Sequence, residues 1–523
     1  MTGLNFDVLL VICGFITDVS TVLSFSLTCS TLRPSGVERR LSMRPVTIDD
    51  AKSLGDLYNF IFIDEKARGP HIHTITIEEC NPGWSLPWYE DLMDRMLAVL
   101  ASATRMRTLS LYVPRQLLPS LLNHPRFLTA VSDMTTLQEL NIAASMAVAH
   151  KIIGTTRSAL KTLRRLDNGD YKEHRLSIAP RLSSSLKEIE LPYDSFLMAL
   201  EAALSLPAVR AVTVTAVQEL HHLRLDTLFT VVPNLDRTLI MHDSIPMRSY
   251  RSDSDARLQA LREDNQKTHS WAAIDRVATS SQILYALGLT CPVRHLSLAI
   301  TLDDPYLLSN HDSVHTHAHT CAVLHDCAPT HLALVDIKLP YGFSMLEQWP
   351  PGRPSLFPEN TVARLTHLVL DAEYTNTQSD PQPRQGDGSE ALWDAELDTL
   401  LAGLEPLHLT HLRIVFRCDI RHARGPFSTA MYHGMRSFKF GRLVAALARV
   451  IPSLTHIFVT TSGRAEITTF GRAYAYGRRC VRTTTGPGLV GETPVPDLEF
   501  QELAREEREA AIDREELRAT EST

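Results

Sequence analysis

The chain has 523 residues, of which 44% are hydrophobic, and a formal net charge of -8. This composition supports a large core, excludes global disorder, and gives no basis for nucleic acid as a general partner. The length exceeds one compact core and suits two or three domains or one elongated repeat array. Eight cysteines, at 13, 29, 80, 291, 321, 327, 418 and 480, are scattered without a CxxC pair. In a chain this long they read as reduced, mostly buried thiols of an intracellular protein rather than a disulfide framework.

The opening segment NFDVLLVICGFITDVSTVLSFSLTC does not read as an export signal or a membrane span. No Lys or Arg precedes Arg33, and no small-residue cleavage site follows the apolar run. Asp7 and Asp18 bracket that run, residues 8–16, which is too short to span a bilayer. The spacing instead predicts short helices. Asn5 is placed to cap the first, with Asp7 in its first turn and Val8, Leu9, Ile12 and Ile16 along one stripe. Thr17 or Asp18 caps a second, carrying Val22, Leu23, Leu27 and Thr28; Pro34 marks a break before an amphipathic stretch at 37–41. Three short helices in about forty residues bury little by themselves and predict docking onto another surface.

The residues LNFDVLLVICGFITDVSTVLSFSLTCSTL resemble an F-box, the three-helix module that docks substrate receptors onto the Skp-type adaptor of cullin–RING ubiquitin ligases. Leu4, Asp7, Val8, Leu9 and Ile12 fall on the family's opening Leu-Pro-x-Glu-Leu-Leu-x-x-Ile pattern, and Phe15, Ile16, Asp18, Leu23, Leu27, Cys29 and Leu32 on the positions that follow. Asn5 stands where the family usually has proline, and Asp7 replaces its glutamate. The resemblance covers residues 4 to about 41. It implies that Leu4, Val8, Leu9, Ile12, Leu23 and Leu27 pack on the adaptor.

Beyond this module the sequence repeats. The pattern apolar-x-x-apolar-x-apolar starts at Ile72, Met106, Leu137, Leu186, Val209, Val293, Leu365, Leu409 and Leu454, with looser copies at Leu160, Leu235 and Pro329. Successive starts lie 34, 31, 23, 26, 23, 26, 58, 36, 36, 44 and 45 residues apart, and the series PTHL, LTHL, LTHL, LTHI is nearly identical. Helical apolar spacing intervenes at 89–103, 195–206, 271–287, 389–404 and 442–450. One strand and one helix per repeat is the unit of a leucine-rich-repeat horseshoe, here degenerate because the usual Asn or Cys is mostly absent. A closed eight-stranded α/β barrel is the competing fold.

The expected organisation is therefore an α/β chain. Residues 1–45 form the F-box-like module, and 46–482 form an irregular leucine-rich-repeat solenoid with inserted loops at 241–270 and 376–390. Residues 483–523 are a linker and an acidic, helical or disordered tail. The 241–270 segment reads as a polar loop with one exposed helix, and 376–390 has a disordered composition. Strand positions expected to face outward toward a target are Thr76, Ser110, Asn141, Glu190, Thr213, Ser297, Val369, Arg413 and Phe458.

Catalytic signatures are missing: the sequence has no phosphate loop, nucleophile elbow or dinucleotide fingerprint. The run His311, His315, His317, His319, Cys321, His325, Cys327 is dense in zinc-ligand types but lacks two separated knuckles, so it reads as helix and loop. His71 and His73 sit at the start of a strand, the wrong end for barrel metal chemistry. Residues 471–485 interleave arginine with tyrosine, a combination seen in single-strand nucleic-acid grooves, but read as a terminal cap or loop.

The sequence reading is thus a non-catalytic substrate receptor of a Skp–cullin–F-box ubiquitin ligase, cytoplasmic or nuclear. It has a protein target and no cofactor, nucleic acid or membrane partner. A repeat scaffold without a ubiquitin link and a metal-dependent barrel hydrolase are the alternatives.

Overall fold

The computed structural model describes residues 6–62, 68–78, 89–112, 124–143, 146–165, 178, 180–217, 220, 223–243, 254–300, 310–339, 346, 355–375, 389–420, 440–465, 472–482 and 498–502. The fold is mixed α/β with parallel strands. The chain divides into two compact units, 1–216 with 227–235, and 217–226 with 236–523. The repeat pattern runs through that division without marking it.

The first unit opens with three helices, α1 (Phe6–Phe15), α2 (Val19–Leu27) and α3 (Arg33–Met43). Asp18 caps α2, accepting from the Thr21 amide at 2.7 Å and from the Ser20 hydroxyl. These hydrogen bonds, that of Ser20 first, hold its carboxyl down at about 2. Pro34 lies in the first turn of α3, where its missing N–H costs nothing. It therefore starts the third helix instead of breaking the chain before it.

Seven parallel strands follow: β1 (Val46–Ile48), β2 (Thr74–Glu78), β3 (Thr108–Tyr112), β4 (Glu139–Ala143), β5 (Thr162–Arg165), β6 (Glu188–Pro192) and β7 (Ala211–Val217). Between and after them lie α4 (Ala51–Phe62), α5 (Tyr89–Ser102), α6 (Pro125–Asp133), α7 (Met146–Thr155), α8 (Tyr193–Glu201) and α9 (Leu225–Val231). Helices α4 to α7 pack on one another in succession.

In the second unit β8 (Thr238–Asp243), β9 (Ile274–Ser280), β10 (Val293–Ala299), β11 (His331–Leu339), β12 (His367–Thr375), β13 (His411–Ile420) and β14 (His456–Ala465) are again parallel and in chain order. β15 (Arg472–Arg482) and β16 (Leu498–Glu502) then add antiparallel. The helices are α10 (Ser254–Gln266), α11 (Ser281–Leu287), α12 (Asn310–Cys327), α13 (Glu359–Val362), α14 (Ser389–Leu404) and α15 (Phe440–Val450). Among the described residues the first and last strands of neither unit pair with each other, so neither unit is a closed barrel.

The core is the repeat pattern itself. Ile72, Ile75 and Ile77, then Met106, Leu109 and Leu111, through to Leu409, Leu412 and Ile414, are all buried. Each such side chain contributes about 1.5–3 kcal/mol on burial. From β2 to β7, register is set at one carbonyl per repeat. The amides of Arg107 and Thr108 both donate to the His73 oxygen, those of Gln138 and Glu139 to Arg107, and those of Lys161 and Thr162 to Gln138. The second unit repeats the device from Thr330 to Thr366, Thr410 and His456.

Several sequence expectations need correction. The helix expected over 271–287 is a strand followed by a helix, β9 and α11, because Ile274 and Val277 continue the apolar row of the neighbouring strands. The short β1 went unread, three residues being too few to show a period. The tail from 498 begins with a strand paired to β15 rather than with helix or coil. Residues 376–388, 483–497 and 503–523 lie outside the described residues.

Within the 241–270 segment, of which 244–253 lie outside the described residues, the helix is not an exposed one. Leu258, Leu261, Arg262 and Asn265 of α10 are buried. The Asn265 side chain accepts from the Leu225 amide at 3.1 Å and donates to the carbonyls of Leu223 at 3.1 Å and Ala286 at 2.9 Å, tying three segments together. Removing it strands three buried backbone groups, each costing about 1–3 kcal/mol unpartnered. Asn265→Ala is expected to lower the unfolding free energy by at least ~3 kcal/mol in urea titrations, and Asn265→Asp, which keeps only the acceptor, by no less.

Candidate functional site

The N-terminal helices spend little of their apolar surface on one another. Only Cys13 of α1, and Val22 with Ser26 of α2, are buried, together with Leu32 and Gly36. The helix pair α2–α3 closes because Gly36 has no side chain: a Cβ there would stand 2.2 Å from the Ser26 Cβ. The Arg39 guanidinium donates to the Ile16 carbonyl at 3.1 Å, fixing the exit of α1 on α3. On the outer side Val8 is 46% exposed, Val11 58%, Ile12 40%, Phe15 80% and Leu27 79%. Phe6 is exposed as well; Leu9 and Leu23 are half-buried. Of the residues expected to meet an adaptor, Val8, Ile12 and Leu27 thus stand open, and Leu4 lies outside the described residues. The apolar spacing of α1 gave the stripe but not its orientation: the helix turns Cys13 inward and leaves Val8 and Ile12 out.

The expected target-facing positions fall on two register rows. In the first unit Thr76 pairs with Ser110, Ser110 with Asn141, Asn141 with Arg164, Arg164 with Glu190 and Glu190 with Thr213. In the second, Ser297 pairs with Ala333, Ala333 with Val369, Val369 with Arg413 and Arg413 with Phe458. The expectation that all of them face outward is corrected for four. Ser110, Asn141, Arg413 and Phe458 are buried, whereas Thr76, Glu190, Thr213, Ser297 and Val369 are half-buried. Strands about 4.8 Å apart let long neighbours cover short ones. Asn141 donates to the Ser110 hydroxyl at 2.9 Å and to Glu139, and the Arg413 guanidinium lies over the Phe458 ring, 5.4 Å from its centroid.

Arg164 was missed among these positions, since its repeat ends in Arg165 where an apolar residue is expected; its place one residue earlier in the hexamer was the available signal. It meets Glu188 at 2.9 Å, Glu139 at 3.3 Å and Glu190 at 3.8 Å. Burial opposes its charge, but the Glu188 hydrogen bond and the three carboxylates together hold it protonated more firmly than an ordinary arginine. Burial pushes the Glu190 carboxyl up, with Arg164 opposing.

The His/Cys run lies on α12, with His317, His319 and Cys327 buried, Cys321 half-buried and His325 exposed. His319 stacks on Tyr285 with ring centroids 3.9 Å apart, and the Arg262 guanidinium lies over the same Tyr285 ring, 4.7 Å from its centroid, while pairing with Asp326. The side chains of His311 and His315 are outside the described residues. Burial raises the thiol of Cys327 far above its ordinary value and that of Cys291 to about 11. Among the described residues no three His, Cys, Asp or Glu side chains converge as a metal site. His71 pairs instead with Glu38 of α3 at 3.4 Å. No helix among the described residues is long and apolar enough to cross a membrane.

A second feature that sequence reading noticed only as a repeat marker is the histidine of PTHL, LTHL, LTHL and LTHI. His331, His367, His411 and His456 occupy one register row with His295.

The close approach at Gly36 gives a direct test of the module's packing. Gly36→Ala is expected to cost about 2 kcal/mol, as overpacking typically does, lowering the melting temperature of the first unit by roughly 4–8 °C. Adding Ser26→Gly, which removes the atoms that the new methyl meets, is expected to restore most of that loss in calorimetric scans.

Compared with protein-family models the chain matches none, and among curated proteins none matches it.

Proposed function

We propose that the chain is the substrate-recognition subunit of a Skp–cullin–F-box type ubiquitin ligase. The observation that carries the reading is the apolar face of α1 and α2. Val8, Val11, Ile12, Phe15 and Leu27 stand exposed on two short helices that each pack on α3, while Cys13 and Val22 are buried. A folded chain that keeps so much apolar surface open in one place gains stability by covering it with a partner. The resemblance of residues 4–41 to the F-box makes that partner the Skp-type adaptor.

The remainder of the chain then holds the target. One short parallel strand and one helix per repeat, with the apolar-x-x-apolar-x-apolar residues buried and the alternate residues on the opposite face, support a degenerate leucine-rich-repeat solenoid. In the row from Thr76 to Thr213 the half-buried Thr76, Arg164, Glu190 and Thr213 offer polar and charged groups on that opposite face, and Ser297 and the apolar Val369 lie half-buried on the corresponding row of the second unit. The mechanism is proximity: the receptor confers no chemistry of its own but raises the effective concentration of target lysines beside a ubiquitin-charged enzyme. Cytoplasm or nucleus is the compartment that goes with such a role.

Calorimetric titration of the full chain into a Skp-type adaptor tests this. A one-to-one complex is expected, and Ile12→Asp and Phe15→Asp, both at exposed positions, are expected to weaken it at least tenfold each without changing the melting temperature. Absence of heat with a well-folded unmodified chain would overturn the ligase role and leave a repeat scaffold with no ubiquitin link.

A further inference from the structure

The second unit carries a column of five imidazoles. His295, His331, His367, His411 and His456 come one from each of β10 to β14, with successive ring centroids 4.5, 4.0, 4.1 and 4.3 Å apart. The interplanar angle closes from 44° at the first pair to 4° at the last. A threonine precedes each of the last four rings. The hydroxyls of Thr330, Thr366, Thr410 and Thr455 donate to the carbonyls of Arg294, Thr330, Thr366 and Thr410, at 2.9–3.2 Å.

The same four hydroxyl oxygens lie 3.0, 2.8, 2.9 and 3.0 Å from the Nδ1 atoms of the histidines that follow them. A hydroxyl has one proton, and here it is committed to a carbonyl. The ring therefore donates Nδ1–H to the hydroxyl oxygen, which fixes the neutral tautomer with its lone pair on Nε2. Parallel rings of this kind aim their Nε2 lone pairs side by side rather than at one point, so the column is not a metal chelate.

Its surroundings disfavour charge. At the upstream end the Asp275 carboxylate stands 3.5 Å from His295 Nδ1, but it is also 3.7 Å from the Arg294 guanidinium. Arg276 of β9 is the register partner of His295, and Arg413 follows His411 on the same face of β13. At the downstream end His456 is paired with Val481 of β15. The Arg294 guanidinium thus offsets Asp275 and itself opposes a charge on His331. Burial first, and the neighbouring histidines next, hold His331 and His367 at about 4.

We propose that the Thr-His column is an acid-sensitive clasp: neutral and stacked across β10–β14 at pH 7, and weakened in mild acid because its stacked rings exclude the protons that the opened chain takes up. The sign follows from linkage. In the unfolded chain histidines titrate near about 6.5, whereas folded His331 and His367 resist protons until about 4, so the unfolded state binds more protons in between. Stability is complete above about pH 6.5, falls as the pH drops toward about 4, and levels off below.

The test uses the full chain, melted at a series of pH values from 7.5 to 5.0 beside the double variant His331→Gln/His367→Gln. The melting temperature of the unmodified protein is expected to fall steeply below pH 6.5, and that of the variant by no more than half as much. Parallel curves would overturn the clasp. Ring-nitrogen NMR of the unmodified chain labelled in histidine reads the same point without a variant. At pH 5.5 at least two rings are expected to remain neutral with the proton on Nδ1; if every ring is charged at that pH, the proposal fails.

Discussion

The structure depends on one arrangement of hydrogen bonds: from β2 to β7 and again from β11 to β14, two consecutive amides of each strand start converge on a single carbonyl of the repeat before. The His73 oxygen holds Arg107 and Thr108; Lys161 holds Lys187 and Glu188; Thr410 holds Thr455 and His456. Since side chains alternate across a strand, a slip of one residue would carry every leucine of a repeat to the opposite face. The bifurcated carbonyl and the buried leucine row therefore enforce the same register from two directions, one polar and one apolar. Helix length and loop length are left free, and the repeats use that freedom, with spacings that drift from 23 to 58 residues.

A fixed register also turns each position of the hexamer into a line running across strands. The first, fourth and sixth positions make the core. The third and fifth make the opposite face, where the two units differ in chemistry: Glu139, Arg164, Glu188 and Glu190 form a charge cluster in the first, and the histidine column stands in the second. The second position differs likewise. It is Arg107, Gln138, Lys161 and Lys187 in the first unit, and threonine at four successive repeats of the second, where the hydroxyl adds a third donor to the shared carbonyl. The N-terminal helices lie outside this logic. They have no register line to join, and their apolar residues stay open for that reason.

What could be read from the sequence follows the same division. The apolar hexamer is periodic and local, so nearly every parallel strand was visible, as were the helices at 89–102, 389–404 and 440–450. Strand β9 was hidden because Trp271, Ile274, Val277 and Leu284 also satisfy a helical spacing, and only pairing with β10 decides between the two. Helix α10 looked like an exposed insert, since its charged residues outnumber its apolar ones; the burial of Asn265 rests on backbone groups some forty residues upstream, which no local pattern reports. Arg164 was overlooked because a buried arginine next to it broke the apolar pattern used to find the repeat. The openness of Val8 and Ile12 depends on how α1 sits on α3, a matter of the Arg39–Ile16 bond rather than of periodicity.

The histidine column shows how a repeat accumulates properties that no single copy has. One Thr-His pair is an ordinary strand start: the hydroxyl satisfies a carbonyl, and the ring covers a neighbour. Repeated in register, the rings must stack, because the strand spacing and the planar ring leave no other packing on that row. Stacking brings each imidazole within about 4 Å of the next, so a proton on His367 is opposed by burial and by the neighbouring His331. The carbonyl ladder that fixes the register is therefore also what sets His331 against the protonation of His367, a residue of the next repeat. Changing the spacing of the rings would require breaking the ladder, and changing their charge presses on it.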